Sequence, residues 1–297
     1  MSEPADPLRP RFHFTAPSGW INDPLGVTWR PDEARYEVFY QFNPEAPVWA
    51  PECRWGQASS PDLVHWADPR TALEPAAEET GCWSGAVVVD EDRPVIVYTS
   101  VLADAPGQGR VALAHGDAEW SRWTPDAAGP VLPAPAPEMG LAHVRDPFVW
   151  RAGEEWRMLL GAGSIDGRPS VLQFTSPDLR SWRPDGVLVT GDRDGPGGTV
   201  WECPQLFALD DAWVLIVSVW DEEPRDVACA VGDYDGSRFT PRAWQPLAGF
   251  PVYATTAFAD AAGRRCALSW LQEGGPAGGT GPARSPCHGC WAGTATA

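Results

Sequence analysis

The chain has 297 residues, of which 40 are acidic and 22 basic, so its formal net charge at pH 7 is −18. A field of that sign repels phosphate backbones and anionic lipid surfaces, so neither nucleic acid nor a membrane is expected as a partner. The N-terminal stretch MSEPADPLRPRFHF has no basic segment leading into an apolar one, and no run approaches the roughly 18 apolar residues of a membrane span, so a soluble cytoplasmic protein is expected. Of seven cysteines only Cys287 and Cys290 form a CxxC pair. No second pair or spaced histidine set completes a zinc site, so reduced thiols and no metal are expected.

In chain order, short runs rich in β-branched and aromatic residues occur at 36–42, 85–89, 94–101, 110–115, 156–161, 170–174, 213–220 and 227–231, separated by Gly, Pro and Asp clusters. None has helical periodicity, and 32 prolines and 30 glycines argue for turns, which predicts an all-β fold of many short antiparallel strands. The heptapeptide SPDLVHW (60–66) returns as SPDLRSW (176–182), with diluted relatives AEWSRW (118–123) and YDGSRF (234–239). A turn and an aromatic residue recurring at one place in successive sheets is the mark of radial repetition. At about 40 to 50 residues per four-stranded blade, residues 1–279 are expected to form a five-bladed β-propeller with an incomplete last blade. A β-sandwich in which the repeats coincide by chance is the alternative. Seventeen tryptophans can serve as core, as platforms for sugar rings, or as both.

Propeller ligands sit where the innermost strands begin, so acids spaced along the chain at blade-like intervals are the candidates. Three stand out: Asp23 in WINDPLG, Asp146 in HVRDPFVW and Glu202 in VWECPQLF. Each has apolar or aromatic neighbours, a setting in which ionisation is costly unless partners are supplied. Asp23 and Asp146 precede proline, so a purely structural turn remains open for both. Glu202, between Trp201 and Cys203, has no such excuse and is expected to retain its proton toward neutral pH, as a general acid must.

HFTAPSGWINDPLG (13–26), YQFNP (40–44), RWGQASSPDLVHW (54–66), WSG (83–85), RDP (145–147), EC (202–203) and SWL (269–271) together resemble glycoside hydrolase family 32, the invertases, levanases and inulinases, in family order. The resemblance implies a retaining glycosidase that cleaves terminal β-D-fructofuranosidic bonds in sucrose or fructans. Asp23 would be its nucleophile, Asp146 its transition-state stabiliser and Glu202 its general acid/base. It further implies a fructose subsite lined by Asn22, Gln41, Trp49, Trp55, Trp83, Ser84 and Tyr253, with Arg145 keeping Asp146 ionised, and no cofactor. Blade packing is the competing role for Trp49 and Trp55. Cys203 would tune Glu202 by resemblance, and a buried structural thiol is equally open. His13 and His65 read as structural.

Several positions depart from the family pattern. Leu25, Gln57 and Trp83 replace its usual Asn, His and Phe, and Leu247 and Pro251 occupy the two acidic places of the segment that ends in Tyr253 and Ala254. The family's C-terminal β-sandwich is expected to be lacking. Residues 280–297, clustering Gly, Ala, Pro and Cys, read as an aberrant or disordered tail left by truncation or by a frameshift near Gly279. Two alternatives stand beside the fructosidase: an inactive or sugar-binding propeller fragment, and a related propeller hydrolase acting on arabinosides or xylosides.

Overall fold

The computed structural model describes residues 10, 13–105, 107–135, 137–191 and 195–272, together with the backbone of 290–295. Apart from one 3-10 turn at Pro137–Met139, the regular elements among the described residues are strands. The first sheet joins β1 (Trp20–Arg30), β2 (Arg35–Asn43), β3 (Arg54–Ser60) and β4 (Ala67–Leu73). The second joins β5 (Gly81–Asp90), β6 (Arg93–Val101), β7 (Arg110–Gly116) and β8 (Trp123–Pro125). The third joins β9 (Leu141–Ala152), β10 (Glu155–Ser164), β11 (Pro169–Ser176) and β12 (Arg183–Thr190). The fourth joins β13 (Val200–Leu209), β14 (Ala212–Asp221), β15 (Glu223–Tyr234) and β16 (Phe239–Ala248). Each is a meander of sequential antiparallel strands, which is the blade of a β-propeller.

The last sheet differs. It contains β17 (Val252–Ala259), β18 (Arg265–Leu271) and β19 (Cys290–Ala295), three strands in all. The expectation of a five-bladed propeller is therefore corrected: the structure has four complete four-stranded blades, not five. Once those four have used the chain up to Ala248, the described residues that remain suffice for three strands only. Within the expected aberrant tail, residues 280–289 and 296–297 lie outside the described residues, and so does Cys287. The segment Cys290–Ala295 is a strand paired antiparallel with β18, from Leu271↔Cys290 to Cys266↔Ala295.

The sequence repeat maps to one structural position. In all four blades it forms the loop between the third and fourth strands, where an aspartate caps backbone N–H groups. Val64 and His65 donate to Asp62 Oδ1, Ser121 and Arg122 to Asp117, Arg180 and Ser181 to Asp178, and Ser237 and Arg238 to Asp235. Because these bonds favour the charged form, Asp178 is held down at about 2.

The core is a set of apolar layers between neighbouring sheets. Leu25, Phe39 and Trp55 of the first blade meet Cys82, Ile96 and Tyr98 of the second. Val88, Val97 and Leu113 meet Val144, Met158 and Leu160 of the third. Leu159 and Val171 meet Trp201, Leu206 and Leu215 of the fourth. The three-stranded sheet lies between the fourth blade and the first, through Val252 and Ala257 on one side and Phe258 and Leu268 on the other. Contact between sheets can be close enough to require glycine: a Cβ at Gly161 would lie 2.2 Å from the Trp201 carbonyl oxygen. Among the described residues no helix is long and apolar enough to cross a membrane.

Candidate active site

The innermost strand of every sheet breaks register, β1 and β9 at two places each, and one break in each strand falls at the site. Pairing lapses between Ile21 and Pro24 in β1, between Trp83 and Gly85 in β5, between Glu202 and Gln205 in β13 and between Tyr253 and Thr256 in β17. In β9 it lapses opposite Leu159 and Gly161, which skips Asp146 and Pro147. Asp146, Cys203 and Ala254 have positive φ at these points, 61°, 46° and 46°. A bulge frees a residue from the ladder and turns its side chain, and placing one at the same level in each sheet aims Asp23, Ser84, Asp146 and Cys203 at the propeller axis. Asp23 and Asp146 therefore belong to bulged strands rather than to turns. Proline fits beside them because a bulge leaves its neighbour outside the hydrogen-bonded ladder.

A cavity of about 610 Å³ opens over these bulges, lined by Asn22, Asp23, Gln41, Trp49, Trp83, Arg145, Asp146, Glu202 and Tyr253. Asp23 is held by three side-chain donors: Ser84 Oγ at 2.6 Å and Gln41 Nε2 at 3.1 Å reach Oδ2, and Asn22 Nδ2 at 3.0 Å reaches Oδ1. Asn22 is itself fixed by the Trp20 indole N–H at 3.1 Å. Burial pushes the Asp23 carboxyl above the ordinary carboxylate range and the Glu202 charge adds to this, while the Ser84 and Asn22 bonds pull it back.

Glu202 is gripped at both oxygens. Arg145 donates to Oε1 from Nε at 2.9 Å and from Nη2 at 2.7 Å, and the Tyr253 hydroxyl donates to Oε2 at 2.5 Å. Trp201, one of the two neighbours that suggested a dry setting, points elsewhere: it is fully buried in the layer between the third and fourth blades. Successive strand residues face opposite sides, so sequence neighbours do not describe the surroundings of Glu202.

Asp146 accepts from the Cys203 backbone N–H at 3.1 Å, and its own N–H donates to Thr99 Oγ1 at 2.8 Å. Burial, then the Glu202 charge, pushes its carboxyl up to about 7, against the opposing pull of Arg145. Arg145 thus favours the ionised form of Asp146 in the expected direction, but burial and Glu202 outweigh it, and its hydrogen bonds go to Glu202. Cys203 Sγ is 3.7 Å from Asp23 Oδ2 and 3.7 Å from Asp146 Oδ2. Burial, then Asp146, raises this thiol far above its usual range, so it stays protonated as a weak donor between the two carboxyls.

Two further expectations are corrected. Trp55 does not line the cavity; it is fully buried between the first two blades, and its indole N–H donates to the Trp83 carbonyl at 3.0 Å. Ser84, 1 % exposed, stands behind Asp23 and positions that carboxyl rather than facing the cavity. Trp49 is half exposed at the mouth, edge-on to Trp83 with centroids 5.7 Å apart. Sequence reasoning missed Trp20, Gly107, His143, Trp220, Glu222, Pro224, Trp270 and Gln272, which complete the wall among the described residues. His143 shares a strand face with Arg145, two residues on, and that spacing was the available signal. Its Nδ1 lies 3.2 Å from Arg145 Nη1, and burial, then Arg145, lowers its pKa, so the ring is neutral and accepts there. Among the described residues no group of three His, Cys, Asp or Glu could hold a metal ion.

Residues 13–296 match the family described as "Glycosyl hydrolases family 32 N-terminal domain". The chain is 41 % identical over 216 residues to the sucrose-6-phosphate hydrolase of Klebsiella pneumoniae, covering 71 % of this chain and 45 % of that protein. It is 32 % identical over 297 residues to the levanase of Bacillus subtilis (strain 168), covering 89 % and 41 % respectively. A solved sucrose-6-phosphate hydrolase from Lactobacillus gasseri superposes with a TM-score of 0.81 at 26 % identity, covering 97 % of this chain and 61 % of that one. A mutant Bombyx mori beta-fructofuranosidase in complex with sucrose superposes with a TM-score of 0.80 at 28 % identity, covering 96 % and 61 %. The chain spans about half the length of the curated relatives it matches.

Proposed function

The chain belongs to glycosyl hydrolase family 32, and from that premise we propose that it hydrolyses terminal β-D-fructofuranosidic bonds in sucrose or fructans with retention of configuration. Asp23 attacks the anomeric C2 of the fructosyl unit while Glu202 delivers a proton to the departing oxygen, leaving a fructosyl ester on Asp23. Glu202 then takes a proton from the water that cleaves this ester, and fructose leaves with its original configuration. Asp146 does not react; it accepts from fructose hydroxyls and faces the oxocarbenium-like transition state.

The observation that carries this reading is the fixation of Asp23. Three side-chain donors orient a buried carboxyl into a cavity that Glu202 also lines, the preorganisation a nucleophile requires. The charge balance suits the acid step. Asp23, Asp146 and Glu202 cluster around one guanidinium, so their full ionisation would leave two uncompensated negative charges; burial first, and then the Glu202 charge, pushes both Asp23 and Asp146 up. With Asp146 pushed up to about 7, the cluster carries a proton near neutral pH. The levanase and the sucrose-bound relative support a fructoside as substrate.

The test is sugar release from sucrose, sucrose 6-phosphate, inulin, levan and an aryl arabinoside. The parent chain is expected to release fructose, and Asp23→Asn and Glu202→Gln to lose at least about a thousandfold in kcat, as removal of a nucleophile or an acid does. Arabinose release would replace the assignment, and fructoside binding without turnover would make the chain a sugar-binding propeller.

A further inference from the structure

We infer that Glu222 makes the leaving-group side of the cavity selective for an uncharged sugar, so that sucrose and short fructans are taken in preference to sucrose 6-phosphate. The inference rests on the hydrolase reading above, which fixes where the leaving group stands. The group that departs must lie against the acid that protonates it, and Glu202 sits on the innermost strand of the fourth blade. The next strand of that blade pairs Ser218 with Glu202 and carries Trp220 two residues further on, opposite Val200, where it lines the same cavity. His143 closes the wall from the third blade, its ring 5.7 Å from the Trp220 ring. An indole face beside a neutral imidazole suits the apolar face and hydroxyls of a sugar ring.

Directly above Trp220 the chain turns back. Asp221 pairs with Glu223, and Glu222 occupies the tip with a left-handed φ of 62°, exposed yet lining the cavity. The acids of this hairpin are not equivalent. Arg225 Nη2 lies 3.2 Å from Asp221 Oδ2, and of Asp221, Glu222 and Glu223 only Glu222 lines the cavity, so its carboxylate sets the charge on this side of the rim. Within the cavity the guanidinium of Arg145 is committed to Glu202 through two hydrogen bonds. A phosphate that recruited Arg145 would strip the acid of its partner. Among the described residues that line the cavity, a dianion entering this side thus meets Glu222 and the carboxyl cluster with no unshared guanidinium or ammonium to receive it, whereas a neutral sugar meets hydrogen-bonding groups. Specificity of this kind comes from repulsion of the wrong substrate rather than tighter contact with the right one.

The test compares kcat/KM for sucrose and sucrose 6-phosphate at low salt in the parent chain, Glu222→Gln and Glu222→Lys. The parent is expected to favour sucrose by at least about tenfold, the effect of an unpaired like-charge contact at a surface dielectric. Glu222→Gln should narrow that ratio about three- to tenfold and Glu222→Lys should narrow it further. Adding about 0.5 M salt should also narrow it in the parent, by screening. Equal or reversed preference in the parent, or a ratio unmoved by both substitutions, overturns the inference. Calorimetric affinities for the two sugars in Asp23→Asn, with and without Glu222→Gln, separate the two claims. If the parent releases no fructose from either sugar, the hydrolase reading falls and the affinity ratio alone decides the role of Glu222.

Discussion

Replacing Ser84 with alanine tests whether Asp23 is tuned by the groups behind it. The Ser84 hydroxyl lies 2.6 Å from Asp23 Oδ2 and opposes the upward push that burial exerts on that carboxyl. A hydrogen bond to a charged group contributes about 1.5–3 kcal/mol, and one pKa unit corresponds to about 1.4 kcal/mol. Removing the bond therefore raises the pKa at which the nucleophile ionises by about one unit or somewhat more, with Gln41 and Asn22 retaining their bonds and limiting the change. Attack requires the ionised form, so the loss falls on the acid side of the pH profile. The acid limb of kcat/KM for sucrose should move up by about one unit, with a deficit of about tenfold below that limb that closes as pH rises. Because the carboxyls of the cluster interact, the limb reports the cluster as a whole, and the prediction concerns its displacement. The substitution removes one oxygen from a packed position, so stability should change little. A pH-independent loss would show that Ser84 serves geometry alone, and an unmoved limb with full activity would refute its role.

Asp146 supplies a prediction about stability. Burial raises its carboxyl from 3.8 to about 7, so between those values the folded protein holds a proton that the unfolded chain has released. Stability is lost as pH rises through that window and the cost is complete above about 7. Asp146→Asn should raise the Tm at pH 8 by a few degrees relative to the parent, with little difference at pH 4, as read by calorimetry; a variant less stable than the parent at pH 8 would refute the cause. The two tryptophans whose roles the sequence left open should separate in opposite assays. Trp55→Ala, in a fully buried site, should cost about 3–5 kcal/mol in urea unfolding, whereas Trp49→Ala, 48 % exposed, should raise KM for sucrose several-fold and leave the urea midpoint nearly unchanged.

What could be read from the residues alone divides along a physical line. Middle strands such as β2, β6, β10 and β14 are buried on both faces and show as continuous β-branched and aromatic runs. The third-to-fourth-strand loop shows because its aspartate is required to cap backbone N–H groups, so the same residue types return in each blade. Outermost strands such as β4 and β16 carry mostly exposed residues and have no such signature. Of the innermost strands β5 shows in part, through the run at 85–89, and the others were hidden for another reason. Each spends a bulge, and in three cases a proline, on turning a functional side chain toward the axis, and the bulge destroys the alternation by which a strand is recognised.

The same cause separates the site residues that were legible from those that were not. Asp23, Asp146 and Glu202 stand out because an acid amid apolar neighbours is anomalous in one dimension, although neighbours such as Ile21 and Trp201 face the layers between blades. Ser84 and Trp55 were misplaced by one shell because a strand's sequence does not say which of its two faces meets the cavity. Glu222 has no such anomaly, since it stands between two other acids, and only the pairing of Asp221 with Glu223 shows that it stands at the tip, on the cavity rim. Its single negative charge is inconspicuous on a chain of net charge −18. Its effect follows from position, since a like charge a few ångström from a bound phosphate outweighs many that lie beyond a Debye length of about 10 Å.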